Sequence, residues 1–246
     1  MWLDPLFSSD VLQDAVAMLL TFGVSLAWLR LMDGLAHRGM IEARLSRKVI
    51  HIGTGPLFVL CWNLFSSSPT ARLWAAAVPL AITLQFIAVG LGWMKDEAAV
   101  KAMTRHGNPR EILFGPLFYG LVFVACTLAF WKTSAVGIIG LMILCGGDGL
   151  ADIVGRRWGR ARLPWNSTKS WLGSAAMFLG GFVFALAFVA AFNALEVLEP
   201  ALEMTSATGK IALISLAAAI VESLPLSDVD NLTITGTAIA LGGILF

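Results

Sequence analysis

The chain has 246 residues, of which 58% are hydrophobic and 13% charged, with a formal net charge of +1 and a mean hydropathy of +0.81. Soluble domains carry roughly half apolar and a quarter charged residues, so these proportions exclude an ordinary soluble fold and predict an all-α, polytopic integral membrane protein. A balance this close to neutral gives no reason to expect a nucleic-acid partner.

Apolar segments long enough to cross a hydrocarbon core of about 30 Å recur along the whole length. Eight are predicted, with seven to nine compatible with the pattern: Ala15 to Met32, Val49 to Phe65, Leu73 to Met94, Ile112 to Trp131, Ser134 to Val154, Trp171 to Phe192, Ile211 to Pro225 and Leu232 to Phe246, the last two short for a full crossing. The start, MWLDPLFSSD, carries acids where a secretory leader would be basic, so the first helix is expected to be retained. No repeat, heptad or linker interrupts the series, and residues 1–246 are expected to form a single transmembrane domain. Cys61, Cys126 and Cys145 each lie in an apolar segment without CxxC spacing, which predicts packing rather than a metal or disulfide framework.

Fourteen of the 17 basic residues fall in odd-numbered loops: Arg30, Arg38, Arg44, Arg47 and Lys48 in the first, Lys95, Lys101, Arg105 and Arg110 in the third, Arg156, Arg157, Arg160, Arg162 and Lys169 in the fifth. Basic residues favour the cytoplasmic side of short loops. The N-terminus is therefore expected on the non-cytoplasmic side, with loops one, three, five and seven in the cytoplasm or its equivalent.

The densest chemistry lies in GGDGLADIVGRRWGRARLPWNSTKSWLGS, Gly146 to Ser174. Asp148 and Asp152 are four apart, so a helix presents both carboxylates on one face, where they can share a divalent cation. Acids at the end of a span are costly and usually serve an ion, a proton or a substrate. A two-carboxylate site suits Mg²⁺, which leaves positions for phosphate, better than any His/Cys pattern suits zinc. Gly146, Gly147 and Gly149 let a ligand or a second helix approach closely. The competing explanation makes those glycines a helix-packing seam and pairs the acids with Arg156 and Arg160 along the same stripe. Behind the acids, Thr168 or Ser170 is positioned to cap the next span, whose first amides, with Lys169, form an anion site. The spacing is not that of a Walker A loop, which needs glycine at position 168.

GDGLADIVGRRWGR followed by TKSWLGS resembles the nucleotide-binding signature of the CTP-using polyprenol kinase family, which includes phytol kinase, dolichol kinase and CTP-dependent diacylglycerol kinase. RKVIHIGTG (Arg47 to Gly55), REILFGPLFYG (Arg110 to Gly120) and VESLPLSDVDNLTI (Val221 to Ile234) are similar to further parts of it, nearest the phytol and farnesol kinase branch. On the topology derived from charge, all four stretches fall on one side of the membrane.

The resemblance implies transfer of the terminal phosphoryl group of CTP, or of UTP, to a membrane-dissolved isoprenoid alcohol. It implies Mg²⁺ on Asp148 and Asp152, with Lys169, Glu222 and Asp230 as further catalytic candidates. The nucleotide would be held by Arg47, Lys48, His51, Gly155, Arg156, Gly159, Arg160, Lys169, Ser170, Gly173 and Ser174. The acceptor would be held by Glu111, Gly115, Pro116, Tyr119 and Asn231.

Several of these have plainer explanations. Tyr119 doubles as an interfacial anchor, Gly115 and Pro116 as the kink or start of the fourth span, and Asp228, Asp230 and Asn231 as turn residues. Glu222 sits in an apolar run and needs a partner, such as a loop-five arginine, His51 or a substrate hydroxyl. A phosphatidate cytidylyltransferase-like enzyme and, further off, a transporter are the rival readings. Oligomeric state and the choice among bacterial inner membrane, thylakoid and plastid envelope stay open.

Overall fold

In a computed structural model of the chain, residues 7–104, 106–226 and 229–246 are described, apart from the side chains at positions 33, 37, 43 and 102. Arg105 of loop three and Asp228 of loop seven lie outside the described residues. Each predicted span is built on a helix. Among the described residues, six stretches are long and apolar enough to cross a membrane: Asp10–Ala36, Ala71–Gly90, Pro109–Ala129, Ala135–Trp158, Trp171–Ala194 and Met204–Glu222. The second and eighth expected spans fall short for different reasons. Helix α2 (Ala43–Cys61) carries Arg44, Arg47 and Lys48 in its first turns; α10 (Asp230–Leu245) has 16 residues, a rise of about 24 Å.

The chain divides into two compact units, Met1–Ala129 and Phe130–Phe246. In the first, α1 (Asp10–His37) packs on α2 and on α3 (Ala71–Gly90), while α3 also packs on α5 (Gly115–Ala129). The short α4 (Glu97–Met103) and a 3₁₀ turn (Pro109–Leu113) link α3 to α5. Helix α3 stops at a glycine C-cap: Gly92 takes φ +77°, Trp93 N–H reaches Ala88 C=O at 2.8 Å and Gly92 N–H reaches Val89 C=O at 3.0 Å. A buried acid in a span needs donors, and Asp14 of α1 has them. Its carboxylate accepts from Ser66 N–H at 2.8 Å and Ser66 Oγ–H at 3.1 Å, tying α1 to the turn beyond α2. Gly120 lets α5 approach α3, since a β-carbon there would meet Thr83 Oγ1 at 2.3 Å.

The second unit is a helical bundle around one continuous segment: α6 (Ala135–Met142), a π-helical turn (Ile143–Asp148) and α7 (Gly149–Trp158). Its apolar window is 83% buried, far more than any other span. Helix α8 (Trp171–Ala194) packs along all three parts, α9 (Met204–Glu222) packs on α8, and α10 packs on α9 and α6. A hairpin of β1 (Arg162–Leu163) and β2 (Asn166–Ser170) joins α7 to α8, with Leu163 opposite Asn166 and Arg162 opposite Ser170. The all-α expectation holds apart from this hairpin. Leucines such as Leu179, Leu213 and Leu84 remain exposed, as lipid-facing positions should.

Candidate functional site

The acidic run begins where the π turn ends. Residues 143–148 are all buried, and an i→i+5 turn of this kind inside a helix is a frequent mark of functional segments. Asp148 returns to α-helical backbone, so Asp148 and Asp152 keep the predicted i, i+4 relation on one face. Their surroundings differ. Asp148 is 7% exposed, whereas Asp152 is half-buried, ion-pairs with the Arg156 guanidinium, and accepts from Arg156 Nε at its backbone carbonyl at 3.1 Å. The arginine pairing anticipated as the plainer explanation therefore holds for Asp152.

Lys169 and Glu222 form the second focus. Glu222, at the end of α9, is 3% exposed; its Oε1 accepts from Lys169 Nζ, and its buried Oε2 has no hydrogen-bond partner among the described residues. Burial pulls the Lys169 ammonium towards neutrality. The charge and hydrogen bond of Glu222, helped by Asp148 and Asp230, outweigh that and hold it above the usual lysine range. The loop-five partner of Glu222 is thus Lys169 rather than an arginine. A small cleft beside the pair is lined by Asn166, Thr168, Val221, Leu224, Leu226 and Asp230.

Residues unmarked by the sequence reading hold this arrangement. Asn166 Nδ2 donates to Ser223 C=O at 3.1 Å, and Trp165 Nε1 donates to Ser223 Oγ at 3.2 Å. Asn166 Oδ1 also accepts from Thr168 Oγ1 at 2.6 Å. The hairpin is thereby pinned to the end of α9, which brings Lys169 to Glu222 across 53 residues of sequence. The only advance signal was the clustering of polar residues in WNST beside ES.

The glycines serve mainly to bring helices together. A β-carbon on Gly147 would lie 2.7 Å from Met177 Sδ, one on Gly146 2.5 Å from the Phe184 ring, and one on Gly180 2.6 Å from Gly146 C=O. Gly155 and Gly173 meet across α7 and α8, where either β-carbon would come within 3.2 Å of the other residue's Cα. Gly159 abuts Ser170. Ser170 caps α8 as anticipated, its Oγ accepting from Gly173 N–H at 3.1 Å. Arg156 and Arg160 are exposed near this helix start in the chain, and the buried Ser174 Oγ has no partner. Asn231 is buried and Asp230 half-buried at the start of α10, with Asp230 Oδ1 accepting from Asn231 N–H at 3.1 Å.

The candidates of the first unit are grouped by its own contacts. Arg47 Nη1 donates to Thr104 C=O at 3.2 Å, one turn of α2 before His51. The Tyr119 hydroxyl donates to His51 C=O at 2.8 Å, with ring centroids 4.4 Å apart, so tyrosine and histidine tie α5 to α2. Glu111 accepts from His106 N–H at 3.2 Å and lies at the same distance from His106 Nδ1. Lys48 is half-buried on α2, and Gly115 and Pro116 open α5, in agreement with the expected span start.

The donor chemistry bears on Mg²⁺. Among the described residues no three His, Cys, Asp or Glu side chains form a ready-made cage. Asp148 and Asp152 stand one turn apart at the start of α7 and offer carboxylate oxygens only, Asp152 sharing its carboxylate with Arg156. Mg²⁺ takes one or two carboxylates and completes its shell with phosphate and water. The residues fit that kind of site and not an enclosed protein cage.

An α-helical, polytopic membrane protein with carboxylates facing a basic hairpin is the class so defined. Among curated proteins, the chain is 43% identical over 96% of its length to the probable phytol kinase 1, chloroplastic, of Oryza sativa subsp. japonica, covering 75% of that protein. It is 44% identical to the probable phytol kinase, chloroplastic, of Zea mays over 96% of this chain and 78% of that one. It is 39% identical to phytol kinase 1, chloroplastic, of Arabidopsis thaliana over 92% and 75%. No protein-family profile and no solved structure matches. The chain belongs to the phytol kinase family.

Proposed function

We propose that residues 1–246 act as one integral-membrane kinase domain that transfers the terminal phosphoryl group of CTP, or of UTP, to the hydroxyl of a long-chain isoprenoid alcohol such as phytol. The observation that carries this is the identity of about two residues in five, over nearly the whole chain, with proteins named phytol kinase. Nucleotide choice rests on the GDGLADIVGRRWGR and TKSWLGS resemblance.

Phosphoryl transfer depends on positioning and charge neutralisation more than on covalent chemistry by the protein. Asp148 and Asp152 would hold Mg²⁺, which when bound supplies positive charge to the donor phosphates. Arg156 and Arg160 offer guanidinium forks for phosphate. The α8 amides from Ser170 to Ser174 add the positive end of a helix dipole, and Gly155, Gly159 and Gly173 let α7 and that helix start sit close together. Arg47, Lys48 and His51 are assigned to the nucleotide, and Glu111, Gly115, Pro116, Tyr119 and Asn231 to the acceptor, on their motifs alone. The alcohol is nearly insoluble in water, so its chain stays in lipid while its hydroxyl reaches the end of α9. The chloroplastic relatives support a thylakoid or plastid-envelope membrane, with a bacterial inner membrane as the counterpart in a cell without plastids. The lysine and arginine bias puts the site on the stromal or cytoplasmic face.

Incubation of the purified protein with γ-labelled CTP and phytol tests the reading. Label in an alkyl monophosphate with release of CDP is the expected result. Pyrophosphate with a CDP-lipid would establish cytidylyl transfer instead.

A further inference from the structure

Glu222 is held by one oxygen only. Lys169 occupies Oε1, while Oε2 is buried without a hydrogen-bond partner among the described residues, in a side chain 3% exposed. An unsatisfied buried carboxylate oxygen is costly, and a carboxylate oxygen can be satisfied only by a donor or a cation. The adjoining cleft has two characters: Asn166 and Thr168 on the hairpin, Val221, Leu224 and Leu226 at the end of α9 and beyond it. Leu224 and Leu226 are themselves exposed. The cleft is small and mostly polar, with the leucines at its rim, so it admits a hydroxyl group while an apolar chain stays outside it. Asp230, the other acid on the cleft, already accepts from Asn231 N–H and is half-buried.

We infer that Glu222 Oε2 is the acceptor for the hydroxyl proton of the isoprenoid alcohol, with Lys169 as the positioning residue that fixes the carboxylate through Oε1. The contact rests on the kinase reading above for the identity of its ligand. It selects an alcohol over any lipid lacking a donor, and it aims the oxygen lone pairs away from Glu222, leaving them available for attack.

The test compares binding of phytol and phytyl methyl ether to the intact protein in lipid nanodiscs, alongside steady-state kinetics. Wild type should prefer phytol by about tenfold, the scale of one hydrogen bond to a charged group, and Glu222→Gln should cut that preference to about twofold. The same variant should raise the KM for phytol and leave the KM for CTP nearly unchanged. Lys169→Met should blur the preference as well, and Lys169→Arg should restore it.

The inference is overturned if Glu222→Gln keeps the preference, or if Asp230→Asn abolishes it while Glu222→Gln does not. It is also overturned if Glu222→Gln raises the Mg²⁺ requirement without affecting phytol, which would make Oε2 a metal ligand. A wild type that prefers phytol to its ether yet transfers no phosphoryl group would sink the kinase reading and keep the contact. An active kinase indifferent to the ether would do the reverse.

Discussion

Replacing Lys169 by methionine removes an ammonium while keeping an unbranched stem. Glu222 would then have both oxygens unpaired at 3% exposure. Breaking a buried ion pair from one side costs about 3–5 kcal/mol. The Lys169 side chain is 30% exposed, so water can partly replace the ammonium and the lower end, about 3 kcal/mol, applies. Removing both charges in Lys169→Met/Glu222→Leu should return stability to within about 1 kcal/mol of wild type, because no uncompensated charge remains. Equilibrium unfolding in mixed micelles, run as a double-mutant cycle, reads the coupling. The folded lysine titrates above its ordinary 10.5, so on the lysine side the stabilisation is present below that value and is lost as pH rises through the folded one. A single variant within about 0.5 kcal/mol of wild type, or strict additivity, would refute the claim that the two charges depend on each other.

Gly155→Ala should destabilise the protein by about 1–3 kcal/mol, since the new methyl group meets backbone that cannot retreat. Gly209→Ala, with nothing within 4 Å, should be neutral or mildly stabilising in the same unfolding assay. Glu203 caps α9 by accepting from Thr205 and Ser206 N–H at 2.9 and 2.6 Å. The backbone hydrogen bond from Ser206 is the leading cause holding its carboxyl below the ordinary 4.5. The cap's contribution should therefore be present above that value and lost as pH falls through the folded one. Hydrogen-exchange protection factors in the first turn of α9, taken relative to the intrinsic rate at each pH, should fall in acid, and Glu203→Gln should remove that fall.

Helix content was legible because a bilayer imposes long apolar runs, and each predicted span proved to be built on a helix. Boundaries failed where polarity and structure part company. Helix α9 begins at Met204, about two turns before the predicted Ile211, because MTSATGK is polar yet helical behind its Glu203 cap. The hairpin escaped notice because its strands are short and polar, and its docking on α9 depends on Asn166 and Ser223, partners 57 residues apart. Within the site, Ser170 as cap and Asp152 with Arg156 followed from local spacing, which short-range helix geometry fixes. The Lys169 and Glu222 pair did not, because only tertiary packing joins the loop-five hairpin to the end of α9. The same holds for the glycines: the sequence left open whether ligand or helix approached Gly146 and Gly147, and both meet α8 from the π turn, at Phe184 and Met177.

If the acids opening α7 carry a phosphoryl-transfer site, Asp148→Asn removes one of the two carboxylates that would hold Mg²⁺ there. In protein shown to be inserted and folded, single-turnover transfer from CTP to phytol should fall by roughly 100-fold or more, with the loss deepening as Mg²⁺ is lowered. Transfer at the wild-type rate in the folded variant would contradict that assignment.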